Sequence, residues 1–471
     1  MNLTGTSVKL FVARTSNALL GFLAIIYFAR ELSPAVMGTF FLFEATNATL
    51  AIVADFGLSG AVEKRISEGD DPGQMVGAAL ALKASFFVVI ASLLAVFSGP
   101  INDYLGAELV VLLVIAILAQ DLASLSVHTL RGELRVGQTA ILNFGQGMAY
   151  AVVGVALVRS GFGIYGLVYG LIAGYAVKLL GGVVRCSTTI AIPQKRHFRS
   201  LLDYGKYNVV WAIGGHTYHW FDVLILGLFV SHRFVGAYEI AWRITVFTLM
   251  FSKAIATTVF PQVSEWVSTG ERENVKALVS RALTYSLLPV VPAFFGGVLL
   301  AKPIMGLTFG KNYEFAWLVL VVLLAGKLFR AVDVVFDRLL LGFDRPDLGA
   351  RVVLVTVTVN IVSNVVLIQA IGFVGAAIAT AGSAAINAVL LGRYLVQLTE
   401  VDVPYPAIGR YVLASLGMTG VLWSLRTQFK IDTFPKLAGT VALGAVLYAG
   451  LLLTFDPFRR EFFTRVREIL A

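Results

Sequence analysis

The sequence predicts an all-α polytopic membrane protein of about fourteen transmembrane helices, in two pseudo-symmetric six-helix lobes followed by two C-terminal helices. Three observations predict it. Of 471 residues, 58% are apolar and only 14% charged, where a soluble domain carries about 25% charged residues. Apolar runs of about 20 residues recur from end to end, each long enough to cross the roughly 30 Å hydrocarbon layer. A glycine-marked pattern then appears twice, once late in each half.

The spans follow from apolar runs between polar breaks. Residues 1–184 form the first lobe, with spans at roughly 9–30, 36–62, 75–98, 108–130, 139–159 and 163–184. The first is kept as a span rather than a signal peptide, because Arg14 and Asn17 interrupt its apolar core. A polar linker at 185–204 carries Lys195, Arg196, His197 and Arg199. Residues 205–396 form the second lobe, with spans at roughly 205–230, 234–261, 277–301, 314–340, 348–370 and 373–396. Residues 397–471 add spans at roughly 407–425 and 437–455 and an interfacial amphipathic tail. Asp456 caps that tail, Pro457 suits its first turn, and Phe458, Phe462, Val466 and Ile469 share one side.

Composition narrows the function classes. A single cysteine, Cys186, excludes disulfides within the chain. The net charge of +9 reads as Lys and Arg retained on the cytoplasmic side rather than as a nucleic-acid surface. With the N-terminus inside, inner loops carry roughly three times as many Lys and Arg as outer ones, so both termini are expected in the cytoplasm. No HExxH, GxSxG or phosphate loop occurs, so neither an enzyme nor a cofactor is expected. His216 and His219 share a helix face with Asp222, but nothing nearby in the sequence adds a further metal ligand, and no metal site is expected.

The repeat supports the lobes. Gly163 and Gly166 in VRSGFGIYG match Gly372 and Gly375 in LIQAIGFVG, and Gly38 in MGTFFLFEA matches Gly236 in VGAYEIAWR. Six spans per half give parallel repeats about an axis along the membrane normal, with a cleft expected between the two bundles.

Charges at membrane depth are expensive and mark sites. Counting along each span matches Arg14 with Asp55, Lys83 with Asp121, and Asp222 with Arg243. Two readings stand together: neutral pairs that tie helices, or groups lining a cavity. Glu44, Asn47 and Asp55 fall on one face of the second span. Lys178, Lys253 and Lys327 have no acid at their level, whereas Arg330 has Asp333 and Asp337 on its own helix. An unpaired ammonium in a cleft favours an anion, and one bound transiently is a substrate. The expected cationic set is Arg14, Lys83, Lys178, Arg243, Lys253, Lys327 and Arg330. Sugars ask for width and hydrogen bonds, which points to Asn17, Asn47, Tyr218 and Trp242. Glu44, Asp55, Asp121 and Asp222 are the acids for pairing or ion coupling.

Six stretches carry a resemblance: FARELSPAVMGTFFLF (28–43), DFGLSGAVEKRIS (55–67), FDVLILGLFVSHRFVGAYEIAWRI (221–244), TVFPQVSEWVSTGER (258–272), GLTFGKNYEFAWLVL (306–320) and LIQAIGFVGAAIATAGS (367–383). In order and spacing the chain resembles the Wzx-type lipid-linked oligosaccharide flippases of the multidrug/oligosaccharidyl-lipid/polysaccharide exporter superfamily. The resemblance implies twelve core helices in two lobes plus two more, and alternating access around a cationic cavity. It implies substrates of the undecaprenyl- or dolichyl-(pyro)phosphate oligosaccharide class, carried from the inner to the outer leaflet of the cell membrane. A coupling ion, proton or sodium, and glycan assembly proteins are the partners it implies. Family members carry basic residues on the first, second and eighth spans; Arg14, Arg243 and Lys253 match, whereas the second span has Glu44 and Asp55. The alternative is a proton- or sodium-coupled multidrug extruder of the same superfamily. That reading wants an acid on the first span, and a basic cavity repels organic cations.

Overall fold

The computed structural model describes residues 3–456 and 458–460, with side chains apart from those of residues 3–15, 207, 209–219 and 272. Every regular element in that range is helical. The helices are α1 (Leu3–Glu31), α2 (Pro34–Asp55), α3 (Leu58–Glu68), α4 (Pro72–Val96), α5 (Ser98–Leu105), α6 (Val110–Gly132), α7 (Val136–Arg159), α8 (Gly163–Arg185) and α9 (Lys195–Phe229). They continue as α10 (His232–Val246), α11 (Met250–Thr269), α12 (Arg272–Pro303), α13 (Trp317–Gly342), α14 (Pro346–Ile371), α15 (Phe373–Leu398), α16 (Tyr405–Gln428) and α17 (Phe434–Leu453). Among the described residues, eleven helical segments are long and apolar enough to cross a membrane. The chain is a multi-pass membrane protein. The expected amphipathic tail beyond residue 460 lies outside the described residues.

The chain divides into two compact units, the first ending at Gly236 and the second beginning at Ala237. That division falls after α9, because α9 packs on α2, α3 and α4. The polar run from Lys195 is not a loop: Gln194 caps it, and its side chain and that of His197 exchange hydrogen bonds with each other's backbone. The segment before it is strapped to the first unit. Glu133 Oε1 accepts from the amides of Ser187 and Thr188, both at 2.8 Å, and from the Thr188 hydroxyl at 2.9 Å. Arg135 donates to the Arg185 carbonyl at 2.5 Å, and Ala191 N–H donates to Gly73 O at 3.0 Å.

Two helices break where the sequence reads straight on. The second span ends at Asp55 because Phe56 (φ 46) and Gly57 (φ 72) are both left-handed. The eighth span holds a 3₁₀ turn at Phe247–Leu249 between α10 and α11. Thr245 and Thr248 donate their hydroxyls to the carbonyls of Trp242 and Thr245, both at 2.7 Å, which competes with regular helix bonding.

Some local features occur alike in both halves of the chain. Leu130 to Arg135 after α6 and Leu340 to Arg345 after α13 make the same helix terminus. Arg135 N–H bonds Leu130 O at 2.9 Å and Arg345 N–H bonds Leu340 O at 3.0 Å, around left-handed Leu134 (φ 59) and Asp344 (φ 57). Gly38 and Gly236 face each other, for a Cβ on Gly236 would stand 2.8 Å from Gly38 N. Gly166 and Gly375 both let a helix hairpin close: a Cβ would come 3.0 Å from Val158 N at Gly166 and 2.2 Å from Leu367 O at Gly375.

Two outcomes follow for stability in detergent. Gly375→Ala is expected to destabilise by about 1–3 kcal/mol through backbone overlap. Gly382→Ala on the same helix meets nothing within 4 Å and is expected to be neutral within about 0.5 kcal/mol. Equal melting temperatures for both would remove the close-contact explanation. For Glu133, burial works to raise the carboxyl, but the bonds from Thr188, Ser187 and Arg135 outweigh it and hold it below the usual range. Its contribution is therefore complete above the ordinary value of about 4.3 and is lost as pH falls through the lower folded value. Glu133→Gln should melt below wild type at neutral pH, and the gap should close in acid; a gap independent of pH would contradict this.

Candidate functional site

In the first unit the charges are spent on one another. Lys83 on α4 is 2% exposed, and its ammonium sits between Asp55 of α2 and Asp121 of α6, the latter at 2.5 Å. Asp55 also accepts from the amide of Ser59 at 3.2 Å and from its hydroxyl. Lys83 was expected in a cationic cavity; two carboxylates enclose it instead, so its charge closes helix contacts. Asn47, expected to meet sugar, is fully buried and donates to Gln120 at 2.5 Å and Tyr175 at 3.4 Å, joining α2, α6 and α8. Asn17 lies against Gly147 of α7. Lys178 on α8 is half-buried with the Arg131 guanidinium near enough to repel it. Glu44 is half-buried, and Asp222 on α9 is fully enclosed. The side chains of Arg14 and Tyr218 lie outside the described residues.

In the second unit the two arginines reach outward from their acids, whereas Lys327 is only 9% exposed. Arg243 on α10 donates to Glu239 at 2.8 Å, one turn earlier on the same helix. The sequence reading missed Glu239, although an acid four residues before a base is the favourable helical order. Lys327 on α13 lies 5.2 Å over the ring of Trp242, a contact worth about 0.5–2 kcal/mol. Arg330, half exposed, donates to Asp333 at 2.7 Å. Asp333 is 1% exposed and accepts from Asn387 of α15 at 2.6 Å, while Asn387 accepts from Thr356 of α14 at 3.2 Å. This chain of donors fixes the carboxylate, and the carboxylate fixes the guanidinium. Sequence spacing paired Arg330 with Asp333 but gave no sign of Asn387 and Thr356, which come from distant helices.

Lys253 differs from these. It lies exposed on α11, and among the described residues no carboxylate stands within salt-bridge distance of it. The Arg330 guanidinium lies near enough to repel it. The 3₁₀ turn bears on this geometry. In one continuous helix Arg243 and Lys253 would point about 80° apart, and three residues wound at 120° each reduce that to about 20°. A groove of about 450 Å³ also opens between α11 and α12, lined in part by Gln262, Trp266, Arg281 and Tyr285. Its lining suits a sugar. Gln262, however, is nine residues past Lys253, about half a turn round α11 from it.

What this arrangement suits is an anion met by several fixed donors. A family model described as polysaccharide biosynthesis protein matches residues 27–317. The chain belongs to this family. Over its whole length it is 42% identical to the whole of a probable low-salt glycan biosynthesis flippase, Agl15, of Haloferax volcanii. The probable flippase AglR of the same organism is 29% identical over all of this chain and 98% of its own. Among solved structures, this polysaccharide biosynthesis protein shares its fold with the lipid II flippase MurJ in an inward closed conformation. The TM-score is 0.81 at 17% identity, covering 97% of this chain and 100% of that one.

Thermal melting tests the support of Arg330. Asn387→Leu removes a donor from a buried carboxylate and should destabilise by about 1–3 kcal/mol. Lys253→Gln, on an exposed side chain, should stay within about 0.5 kcal/mol of wild type. An Asn387→Leu protein as stable as wild type would mean that Asp333 is held some other way.

Proposed function

We propose that this polysaccharide biosynthesis protein is a flippase, a transporter and not an enzyme, for a lipid-linked oligosaccharide. The carrier is a polyprenyl phosphate or pyrophosphate, and the glycan passes from the cytoplasmic to the outer leaflet of the cell membrane for surface polysaccharide or glycoprotein assembly. One observation carries the chemistry: Lys253 on α11 lies near enough to Arg330 on α13 for their like charges to repel, and Lys253 has no acid within salt-bridge distance among the described residues. Two cations arranged against their own repulsion favour a multivalent anion. Arg243 and Lys327 extend the same basic group in the second unit. Phosphate takes the charge-assisted donors, Trp242 offers an aromatic face to the first sugar, and the lipid tail stays in hydrocarbon.

Membership of the family and two full-length relatives named as flippases support this reading. They favour it over a multidrug extruder, as does a basic group that repels organic cations. The finer architecture belongs to the same proposal: fourteen spans, two six-helix lobes, both termini cytoplasmic, with Arg14 adding to the basic set from the first span. A coupling ion and glycan assembly proteins complete the partners.

Deletion of the gene should abolish the surface glycan and leave its lipid-linked precursor on the cytoplasmic side. Complementation with Lys253→Gln or Lys327→Gln should lower export by about tenfold each, the equivalent of one charge-assisted hydrogen bond. Surface glycan restored to wild-type level by the double variant, at equal expression, would end the cationic-site mechanism.

A further inference from the structure

The first unit holds a group of ionisable side chains that the glycan does not need. Lys83 lies between Asp55 and Asp121, so two carboxylates and one ammonium share a site in which Lys83 and Asp121 are buried and Asp55 is 23% exposed. If all three are ionised, one negative charge is left over, and burying it is expensive. One added proton removes the excess. The two acids are not equivalent. Asp55 already accepts from the Ser59 amide and hydroxyl as well as from Lys83. Asp121 is 5% exposed and its recorded donor is Lys83.

The site is not sealed from the surface. Glu63 lies eight residues beyond Asp55, and His128 lies seven residues, about 10 Å, beyond Asp121 along α6. Those two pair at 2.6 Å, with Arg131 at 3.9 Å from the same Glu63 oxygen, and both are partly exposed. The α3 and α6 helices thus present titratable groups both near the surface and at Lys83. From α8 the ionisable groups are Lys178, which faces Arg131, and Tyr175, which receives the Asn47 amide at 3.4 Å. On α2 itself Glu44 acts on Tyr175. On α9, Asp203 and Lys206 pair with each other at 3.0 Å.

We propose that the Asp55–Lys83–Asp121 triad is a proton-binding site, filled and emptied by way of the His128–Glu63 pair, with Asp121 the carboxyl that carries the proton. Ionised, Asp121 holds Lys83 and thereby ties α6 to α4. Protonated, it loses that attraction, while Asp55 keeps Lys83 tied to α2. Protonation therefore loosens one helix contact and spares the other. A link to glycan movement rests on the flippase reading; the proton site does not.

The test is infrared difference spectroscopy of the purified full chain in phosphatidylcholine vesicles, stepped from about pH 8 to about pH 5. Wild type should gain the carbonyl band of one buried carboxylic acid. Asp121→Asn should lose that band, Asp121→Glu should restore it at a shifted frequency, and Asp203→Asn should leave it unchanged. No band in wild type, an undiminished band in Asp121→Asn, or a response to sodium at fixed pH in place of the pH response would each overturn the proposal. If the band behaves as expected while deleting the gene leaves glycan export intact, the proton site stands and the flippase reading falls.

Discussion

Hydrocarbon offers no hydrogen bonds, so every polar group a membrane chain carries inward must find its partner within the protein. Most of the ordering described here follows from that constraint. Lys83 draws a carboxylate from each of two neighbouring helices. Asp333 gathers Arg330, Asn387 and, through Asn387, Thr356, and so ties α13 to α15 and α15 to α14. Apolar side chains give no direction between helices in lipid, because the lipid is as apolar as they are. The polar contacts supply that direction, and close glycine contacts such as that of Gly375 set how near the helices come.

The two units use charge differently. In the first, the most deeply placed base is fully enclosed by acids. In the second, the acids sit beneath the bases: Asp333 and Glu239 are buried while Arg330 and Arg243 reach outward from them. A buried acid under a half-exposed guanidinium orients it without using all of its donors, since guanidinium has five. That arrangement presents charge, whereas the Lys83 arrangement consumes it. The helix termini after α6 and α13 are alike, whereas the charge chemistry of the two units is not.

Much of the fold was legible because its causes are local or periodic. Apolar runs and the close-packed Gly166 and Gly375 are sequence features, and counting depth matched Lys83 with Asp121. Depth does not say which helices are neighbours, however. It left Asp55 unassigned to Lys83, which it meets across the α2–α4 contact. The break at Phe56 was not legible, since a left-handed phenylalanine has no composition signal. Nor was the 3₁₀ turn read, although two threonines three residues apart within an apolar helix can compete for backbone bonds. Asn47 looked like a ligand group because polarity at membrane depth suggests function, yet satisfying another helix is an equally good reason for it.

The same tension explains α13. It was expected as the tenth span, yet with Lys327, Arg330, Asp333 and Asp337 it is absent from the helices apolar enough to cross a membrane. A helix with that content is stable at membrane depth only if its polar groups turn away from lipid and toward protein or water. Its apolar side does pack inward as well, with Val335, Phe336, Leu339 and Leu340 in the core of the second unit. Asp333 is sealed among helices while Arg330, three residues before it, is half exposed, so the polar stripe runs from protein interior to surface within one turn. Such a gradient holds a cation at the edge of the protein, half exposed. A base closed in like Lys83 offers an anion no approach.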